Sequence, residues 1–331
     1  MQSPVFLQPV LQERIWGGKE LEAFGYELPS KSTGECWGIS AHPNGQSIIR
    51  SGKYKGKTLE ELWQNNRELF GNHQSDKFPL LTKILDANQD LSVQVHPNDA
   101  YANEYENGEL GKTECWYIID CKEGAEMIYG HHARTKEEFV GMVQKGRWDE
   151  LLRRVAIKPG DFFYVPSGTI HALCEGTLVL ETQQSSDTTY RVYDYERIDA
   201  NGKKRELHLD KAIEVSTVPH QDVRLEFEQV TLNGAIITKF VEDTYFSVYK
   251  WDIEQEASLS QDKCFQLVSV INGEGTLVTL DGIVSIQKGD HFILPSGMGD
   301  FTIHGQVTCI VSYPQLYPVQ QEVTDRLIVT V

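Results

Sequence analysis

A glycine, proline and histidine pattern is the feature of this sequence that most constrains its fold. The pattern is Gly160-x5-Pro166-x-Gly168-x2-His171, and the five residues after the first glycine are mostly aromatic or β-branched. Such a run, followed by Pro-Ser-Gly, predicts a strand that ends in a turn. The histidine then opens the next strand. We expect its imidazole to lie on the inner wall of a small β-barrel, a usual place for a protein-bound metal.

Two upstream segments add further metal-binding side chains. Gln94 and His96 are two residues apart, so an extended chain directs both to one face. Glu114 follows in a later predicted strand. With His171 these side chains offer nitrogen and oxygen donors, which suit a catalytic zinc-type site with an open position. A neutral amide is a poor ligand, so hydrogen bonding to another ligand is the alternative role for Gln94.

The composition limits the classes of partner. The chain has 331 residues, enough for two domains with sizeable cores, and its 40% hydrophobic and 24% charged content is ordinary for a globular protein. Its formal net charge of −17 argues against nucleic acid or an anionic membrane as a partner, because both require a basic face. An anionic substrate would therefore need a local basic pocket.

The sequence indicates a cytoplasmic protein. No apolar run approaches the roughly 20 residues of a membrane helix, and the N-terminus has no basic segment followed by an apolar one. The cysteines form no CxxC pair and have mostly apolar or aromatic neighbours, so we expect reduced thiols. Cys115 and Cys174 lie near candidate ligands and are expected to be small packing residues.

Short strands dominate the pattern, and helices interrupt them. Strands are predicted at 91–95, 114–119, 161–165, 178–183, 267–270, 275–280, 291–294 and 308–313. Helices are predicted at 58–71, 135–145, 148–155 and 209–215, the first two with Thr-x-x-Glu capping boxes. Asn272-Gly273 and Asp281-Gly282 are typical of hairpin turns. We predict a mainly β fold with helical insertions at about 55–72 and 135–156, packed outside the barrel.

An internal repeat predicts a second, related half. Residues 158–171 align with 287–300, but the second copy has Asp300 where the first has His171. It also lacks an upstream counterpart of Gln94 and His96. We therefore predict two barrels, a catalytic one at 1–235 that binds the metal and a metal-free one at 236–331.

Gly-x5-Pro-x-Gly-x2-His is the second cupin motif, so the chain resembles a double jelly-roll cupin. The match goes further. The pattern Ser92-x-Gln94-x-His96-Pro, the pair Lys112-x-Glu114 and the segment that ends at Arg191 resemble type I mannose-6-phosphate isomerases of the short bacterial form. The resemblance covers essentially the whole chain. The longer enzymes have Asn-His-Lys-Pro-Glu at 110–114, and no role of that histidine is carried over, because this chain has Gly111 there.

The resemblance implies one zinc ion per chain, held by Gln94, His96, Glu114 and His171. It also implies interconversion of mannose 6-phosphate and fructose 6-phosphate through a cis-enediol. That reaction requires a base, a positive group beside the enediolate oxygens and a cationic pocket for the phosphate. The sequence leaves the base unassigned.

The resemblance further implies roles for four side chains around the metal. Arg191 would hold the phosphate or stabilise the enediolate, and its alternative is an ion pair with a neighbouring aspartate. Lys112 would act as a proton shuttle or a phosphate contact, and the Ser92 hydroxyl as a phosphate donor. Lys83 would line the pocket, although a lysine in an apolar strand usually reaches to solvent.

Two other functions fit the same ligands. One is an iron-dependent cupin dioxygenase, and the other is a cupin that senses a sugar phosphate without turning it over. Lys112 and Arg191 argue against both, because they favour an anionic sugar and chemistry upon it. The sequence does not distinguish a monomer from a homodimer.

Overall fold

The computed structural model describes residues 3–198 and 202–315. The predicted mainly β fold is confirmed. The strands are β1 (Val5–Gln8), β2 (Val10–Gly18), β3 (Thr33–Ile39), β4 (Ile48–Ile49), β5 (Leu80–Ala87), β6 (Val93–Val95), β7 (Glu114–Cys121), β8 (Glu126–His131), β9 (Leu152–Ala156), β10 (Phe162–Val165), β11 (His171–Leu173), β12 (Thr177–Gln184), β13 (Tyr190–Tyr193), β14 (Glu228–Leu232), β15 (Ala235–Glu242), β16 (Phe246–Ile253), β17 (Glu256–Gln261), β18 (Gln266–Thr279), β19 (Gly282–Gln287), β20 (His291–Leu294) and β21 (Gly299–Pro314). The α-helices are α1 (Leu59–Asn65), α2 (Asp99–Tyr105), α3 (Lys136–Gln144), α4 (Trp148–Leu151) and α5 (Leu209–Val215).

Two sheets in the first half of the chain position the predicted ligands. One has the strand order β10-β7-β12-β5-β3-β2 and the other β13-β6-β11-β8-β9. Apolar side chains from both sheets share one buried cluster, which includes Leu85, Trp116, Met127 and Leu173. The sheets therefore pack face to face, and side chains that point inward from β6, β7 and β11 meet between them.

The second half of the chain forms a ten-stranded sheet that also includes strands from the N-terminus. Its main order is β14-β15-β16-β21-β18-β20-β1-β4. β1 pairs with β20, and Leu7 lies opposite His291. The limits predicted for the two domains stay a prediction, and so does their description as two closed barrels.

An aromatic cluster joins the helical segment at 59–70 to the ten-stranded sheet. The rings of Trp63, Phe70 and Phe78 pack on one another and on Phe265, with ring centroids 5.0–6.1 Å apart. All four side chains are fully buried. Packing of this kind makes relative motion of the two halves costly.

One predicted hairpin turn is wrong and the other is confirmed. Asn272 and Gly273 lie inside β18, where a register shift follows Val270. Gly273 has φ +80°, so its backbone absorbs a bulge within a continuous strand instead of reversing the chain. Asp281 and Gly282 do form the tight connection between β18 and β19.

The first helix begins as predicted but is shorter. Thr58 Oγ1 accepts a hydrogen bond from Glu61 N, and the Glu61 carboxylate accepts one from Thr58 N, so the capping box is present. The helix ends at Asn65, and a separate 3-10 turn follows at Arg67–Phe70. Asn66 has non-helical backbone angles and divides the predicted 58–71 helix.

The helical predictions after residue 130 hold in part. Thr135 caps α3, but the Glu138 carboxylate accepts from Arg134 N, so that predicted capping box is incomplete. The prediction of a helix at 148–155 is wrong beyond Leu151, because β9 pairs with β8 there. α5 has the predicted bounds. The sequence did not indicate α2, which Asn98 caps through its side chain.

The cysteines agree with the expectation of reduced thiols. All six cysteines are free thiols, and Cys115 and Cys174 are buried packing residues. Among the described residues, no helix has the length and apolar character needed to cross a membrane.

Candidate active site

The predicted metal ligands meet between the two facing sheets. Glu114 is the first residue of β7, and His171 is the first residue of β11. His96 directly follows β6. His171 Nε2 lies 3.3 Å from Glu114 Oε1, and His96 Nε2 lies 3.5 Å from Glu114 Oε2. One donor atom from each of the three residues lies within 4.8 Å of the others, a separation that one metal ion can span.

Hydrogen bonds to carbonyl groups fix the tautomers of both imidazoles. His96 Nδ1 lies 2.9 Å from Thr188 O, and His171 Nδ1 lies 2.8 Å from Thr169 O. A carbonyl oxygen only accepts, so each Nδ1 carries the proton and each Nε2 presents a lone pair towards Glu114. Burial lowers the pKa of His96 well below its usual value and that of His171 to about 4. Both rings are therefore neutral near pH 7, which is the form that binds metals.

The surroundings of the Glu114 carboxylate fit a bound metal ion. The Glu114 side chain has no solvent exposure, and Oε1, which lies 3.3 Å from His171 Nε2, has no hydrogen-bond donor among the described residues. The Lys112 ammonium lies 2.7 Å from Oε2 and 3.2 Å from His96 Nε2, so it already compensates that side of the carboxylate. Oε1 and His171 Nε2 are both acceptors, and a cation between them removes the cost of burying them so close together. Two imidazoles and a carboxylate match the ligand set of catalytic zinc sites.

Gln94 lies at the edge of this cluster. It pairs across the strands with His171, and its Nε2 is 3.3 Å from His171 Nε2. A half-turn of the amide exchanges Nε2 for Oε1 at the same place. The geometry thus accommodates both roles predicted for Gln94, a fourth ligand or a hydrogen-bond partner of His171.

Lys112 places a positive charge beside the metal ligands. It precedes β7, and its buried Nζ lies 3.2 Å from His96 Nε2. Burial lowers the pKa of Lys112, but the carboxylates of Glu114 and Glu181 outweigh that effect and raise it above its ordinary value. Lys112 is consequently an ammonium ion in the folded protein.

Lys83 does not reach to solvent, and its partner is a glutamate that sequence reasoning missed. Lys83 is 4% exposed, and its Nζ lies 3.7 Å from Glu181 Oε1 and 4.6 Å from the centroid of the Trp37 ring. Glu181 lies opposite it on β12 and accepts a 2.9 Å hydrogen bond from Trp116 Nε1. Burial and the nearby Glu114 raise the pKa of Glu181. A lone glutamate in the otherwise apolar run Leu-Val-Leu-Glu was the available signal.

A polar cleft of about 240 Å³ opens next to the metal ligands. Ser92, Lys83 and Gln94, all predicted to belong to the site, line it. The charged groups on its walls are three acids, Glu35, Glu181 and Asp187, and five bases, Arg14, Lys83, Lys112, Arg191 and Arg205. This is the local excess of positive charge that an anionic substrate requires in an acidic protein.

Arg191 lines this cleft, and part of its guanidinium has no hydrogen-bond partner among the described residues. Its Nη1 donates to Glu206 O at 2.8 Å, but its buried Nε has no partner among the described residues. It forms no ion pair within the described ranges, because Arg197 and Arg205 already hold the Asp194 carboxylate. Burial and the nearby Arg205 lower the pKa of Arg191. The surface ion pair considered from the sequence is therefore not what the structure shows.

Comparison with known proteins places these residues in a family. The family model of the type I phosphomannose isomerase catalytic domain matches residues 5–119, and that of the mannose-6-phosphate isomerase cupin domain matches 236–314. The putative mannose-6-phosphate isomerase YvyI of Bacillus subtilis is 60% identical over 313 residues, which are 94% of this chain and 99% of the relative. The chain belongs to the type I mannose-6-phosphate isomerase family.

Other members of the type I mannose-6-phosphate isomerase family extend the match over the structure. A crystal structure of the enzyme from Bacillus subtilis has a TM-score of 0.93 and 60% identity, and the match covers 94% of this chain and all of that one. The mannose-6-phosphate isomerase of Streptococcus mutans is 51% identical over 95% of this chain and 99% of its own length. The resemblance predicted from the sequence is thereby confirmed, together with the cupin character of the fold.

Proposed function

We propose that this protein interconverts mannose 6-phosphate and fructose 6-phosphate and that one zinc ion per chain supports the reaction. The observation that carries the proposal is the buried convergence of His96, Glu114 and His171, with no donor to Glu114 Oε1 among the described residues, beside a cleft rich in cations. Family membership supports the choice of substrate, because the relatives bear the name of this activity.

The residues that would hold the zinc ion are His96, Glu114 and His171, with the Gln94 amide as a fourth ligand. When bound, the ion supplies Lewis-acid polarisation of the sugar oxygens at C1 and C2 and offsets the charge of an enediolate. The bound ion would also orient the substrate, because the cleft that would hold the sugar lies directly beside Gln94.

Glu181 is the group best suited to move the proton between the two carbons. The isomerisation removes a proton from C2 of the aldose and returns one at C1, while a hydroxyl proton passes from O2 to O1. Burial together with Glu114 raises the pKa of Glu181, which makes its carboxylate a stronger base for a proton on carbon. The hydrogen bond from Trp116 Nε1 fixes the orientation of its carboxylate. The Lys112 ammonium, on the same wall of the cleft, can exchange the proton between the two oxygens.

Arg191 is the group best suited to bind the phosphate. Its unpartnered Nε, and the absence of an ion pair within the described residues, leave its charge available to a dianion. Guanidinium groups bind phosphate through paired, charge-assisted hydrogen bonds. Ser92, also in the cleft, adds a hydroxyl donor.

A coupled assay and a metal determination test this function together. Protein purified without added metal should contain close to one zinc per chain and should form fructose 6-phosphate from mannose 6-phosphate. A cupin dioxygenase would instead contain iron and consume O₂. A sensor would bind mannose 6-phosphate without forming product, and either outcome would overturn the proposal.

We also infer a cytoplasmic location, which the six free thiols support. Monomer and homodimer are both compatible with the described residues, and sedimentation velocity distinguishes them.

A further inference from the structure

A second cavity, larger than the active-site cleft, lies in the ten-stranded sheet. Its volume is about 650 Å³, against about 240 Å³ for the cleft. None of the predicted metal ligands lines it, so it is not an extension of the active site. We name it the C-terminal cavity, defined by Tyr249, Trp251, Gln266, Asp300, Phe301 and Tyr313 among its lining residues.

The internal repeat relates this cavity to the active site. In the first copy the motif Pro166-x-Gly-x2 leads to His171, and in the second Pro295-x-Gly-x2 leads to Asp300. His171 is the first residue of β11, and Asp300 is the second residue of β21. Asp300 is therefore the counterpart of His171 in the repeat, but it is exposed, so it lines the C-terminal cavity from its solvent side.

Strand register extends the correspondence to a second ligand. In the first copy Glu114 pairs with Val165, the residue before the motif proline. In the second copy Gln266 pairs with Leu294, again the residue before the motif proline. Gln266 is thus the counterpart of Glu114. The C-terminal cavity thus has the amide of Gln266 in place of Glu114 and the carboxylate of Asp300 in place of His171. No histidine or cysteine lines it.

Gln266 lines the C-terminal cavity with a side-chain oxygen that lacks a hydrogen-bond donor among the described residues. Its side chain lines the cavity although the residue is only 6% exposed. Its Oε1 has no hydrogen-bond donor within the described part of the chain. A buried acceptor without a donor lowers stability, and a ligand hydroxyl placed in the cavity would remove that cost.

Aromatic side chains form much of the remaining wall. Trp251 and Phe301 are nearly buried, with ring centroids 6.1 Å apart. The rings of Tyr249 and Tyr313 stack at 5.8 Å, and their hydroxyls are 3.1 Å apart. Flat aromatic surfaces beside a few convergent polar groups are typical of sites for small molecules that have one apolar face and several hydroxyls.

The charge of the lining argues against a phosphorylated ligand. Asp262 and Lys263 form an ion pair of 3.4 Å, which leaves Asp300 as the uncompensated charge. A phosphate group would therefore meet a site of net negative charge with no arginine, unlike the active-site cleft.

We propose that the C-terminal cavity binds a neutral carbohydrate of one or two sugar rings, without metal and separately from the active site. The volume lies within the roughly 300–1,000 Å³ of small-molecule sites. Gln266 and Asp300 bind hydroxyl groups, and the aromatic walls cover the apolar faces of the rings. The inference does not depend on the isomerase reaction.

Methyl α-D-mannopyranoside is a suitable probe, because it is neutral and cannot open its ring to become an isomerase substrate. Saturation-transfer NMR on the metal-loaded protein should show saturable binding. Gln266→Leu should weaken the affinity at least tenfold, whereas His171→Ala, which removes an active-site ligand, should leave it unchanged. Gln306→Leu is the matched control, because Gln306 is exposed on the same sheet and does not line the cavity.

Absence of saturable transfer to the wild-type protein would overturn the proposal, as would binding that Gln266→Leu leaves intact. Binding lost in His171→Ala but kept in Gln266→Leu would assign the probe to the active site instead. Asp300→Ala is a second variant in case Gln266→Leu does not fold, because Asp300 is exposed and its replacement places no strain on the core. It too should weaken binding of the probe.

Discussion

Trp116 contacts both the proposed base and a proposed metal ligand. Its indole Nε1 donates a 2.9 Å hydrogen bond to Glu181 Oε2, and its ring meets the His171 ring edge-on with centroids 5.3 Å apart. The three side chains are almost fully buried. One rigid side chain therefore sets the position of the Glu181 carboxylate relative to His171.

Glu181→Gln should abolish most of the turnover and leave the metal in place. The amide oxygen can still accept the hydrogen bond from Trp116, but the side chain can no longer take up a proton from carbon. Loss of a general base typically costs about 10²–10⁴-fold in rate, so kcat for mannose 6-phosphate should fall at least about 100-fold. The coupled assay gives kcat, and elemental analysis gives the zinc content.

Glu123→Gln is the matched control for that substitution, because Glu123 is exposed in a turn away from the cleft. It should keep full activity. A Glu181→Gln enzyme with normal kcat would remove Glu181 from the mechanism.

Glu114→Gln should lose the metal as well as the activity. The carboxylate supplies the only negative charge among the proposed ligands, and its Oε1 lacks a hydrogen-bond donor in the described chain. Even side chains that only orient metal ligands change affinity by about 10–100-fold, so loss of this ligand should exceed that range. Competition with a zinc-selective chelator measures the affinity. Zinc bound as tightly as in the wild type would mean that Glu114 is not a ligand.

Arg191→Ala should separate substrate binding from metal binding. We expect unchanged zinc content and a fall of kcat/KM by about 10–150-fold, which corresponds to loss of a charge-assisted hydrogen bond worth about 1.5–3 kcal/mol. Arg134→Ala, at an exposed position outside the cleft, is the control. Wild-type kcat/KM in Arg191→Ala would show that the phosphate binds elsewhere.

His291 should make the protein less stable as the pH falls below about 6.5. Burial, with a smaller effect of Arg50, lowers the pKa of His291 to about 3. The imidazole is satisfied as a neutral ring, because Ser269 Oγ lies 2.8 Å from Nδ1 and the Tyr26 hydroxyl lies 2.9 Å from Nε2. Between about pH 3 and 6.5 the unfolded chain binds this proton and the folded chain does not, so the stabilisation is present above that window and is lost as the pH decreases.

The measurement is the free energy of unfolding in urea at several pH values between 4 and 6. His291→Gln cannot titrate, so its slope against pH should be shallower than that of the wild type by about 1.4 kcal/mol per pH unit. Equal slopes for the two proteins would contradict this origin of acid sensitivity.

The positions of the proposed metal ligands were predictable because each belongs to a local pattern. Residue spacing alone places Gln94 and His96 on one face, and the turn after Pro166 delivers His171 to the next strand. These patterns depend only on residues close together in the chain, so they can be read from the sequence. The charge of the cleft was also expected, because a phosphate needs cations.

Glu181 and the bulge at Gly273 escaped prediction for the opposite reason. Glu181 gains its importance from Lys83 and Trp116, which lie far from it in the chain and reach it only through strand pairing. Gly273 in isolation looks like part of a turn, and only pairing with β21 and with the β19 side of the sheet keeps β18 extended there. Residues 152–156 were predicted to be helical and form a strand instead, because they pair with β8.

The pairing of β1 with β20 has a consequence for biosynthesis. Leu7 is made long before its partner His291, but its other neighbour, Ile49 of β4, follows soon after it. One edge of β1 can therefore pair early, and only the edge towards β20 must wait while the intervening sheets assemble. A chain that stopped before β20 would thus leave that edge of β1 unpaired, however well the two sheets around His96 and His171 had formed.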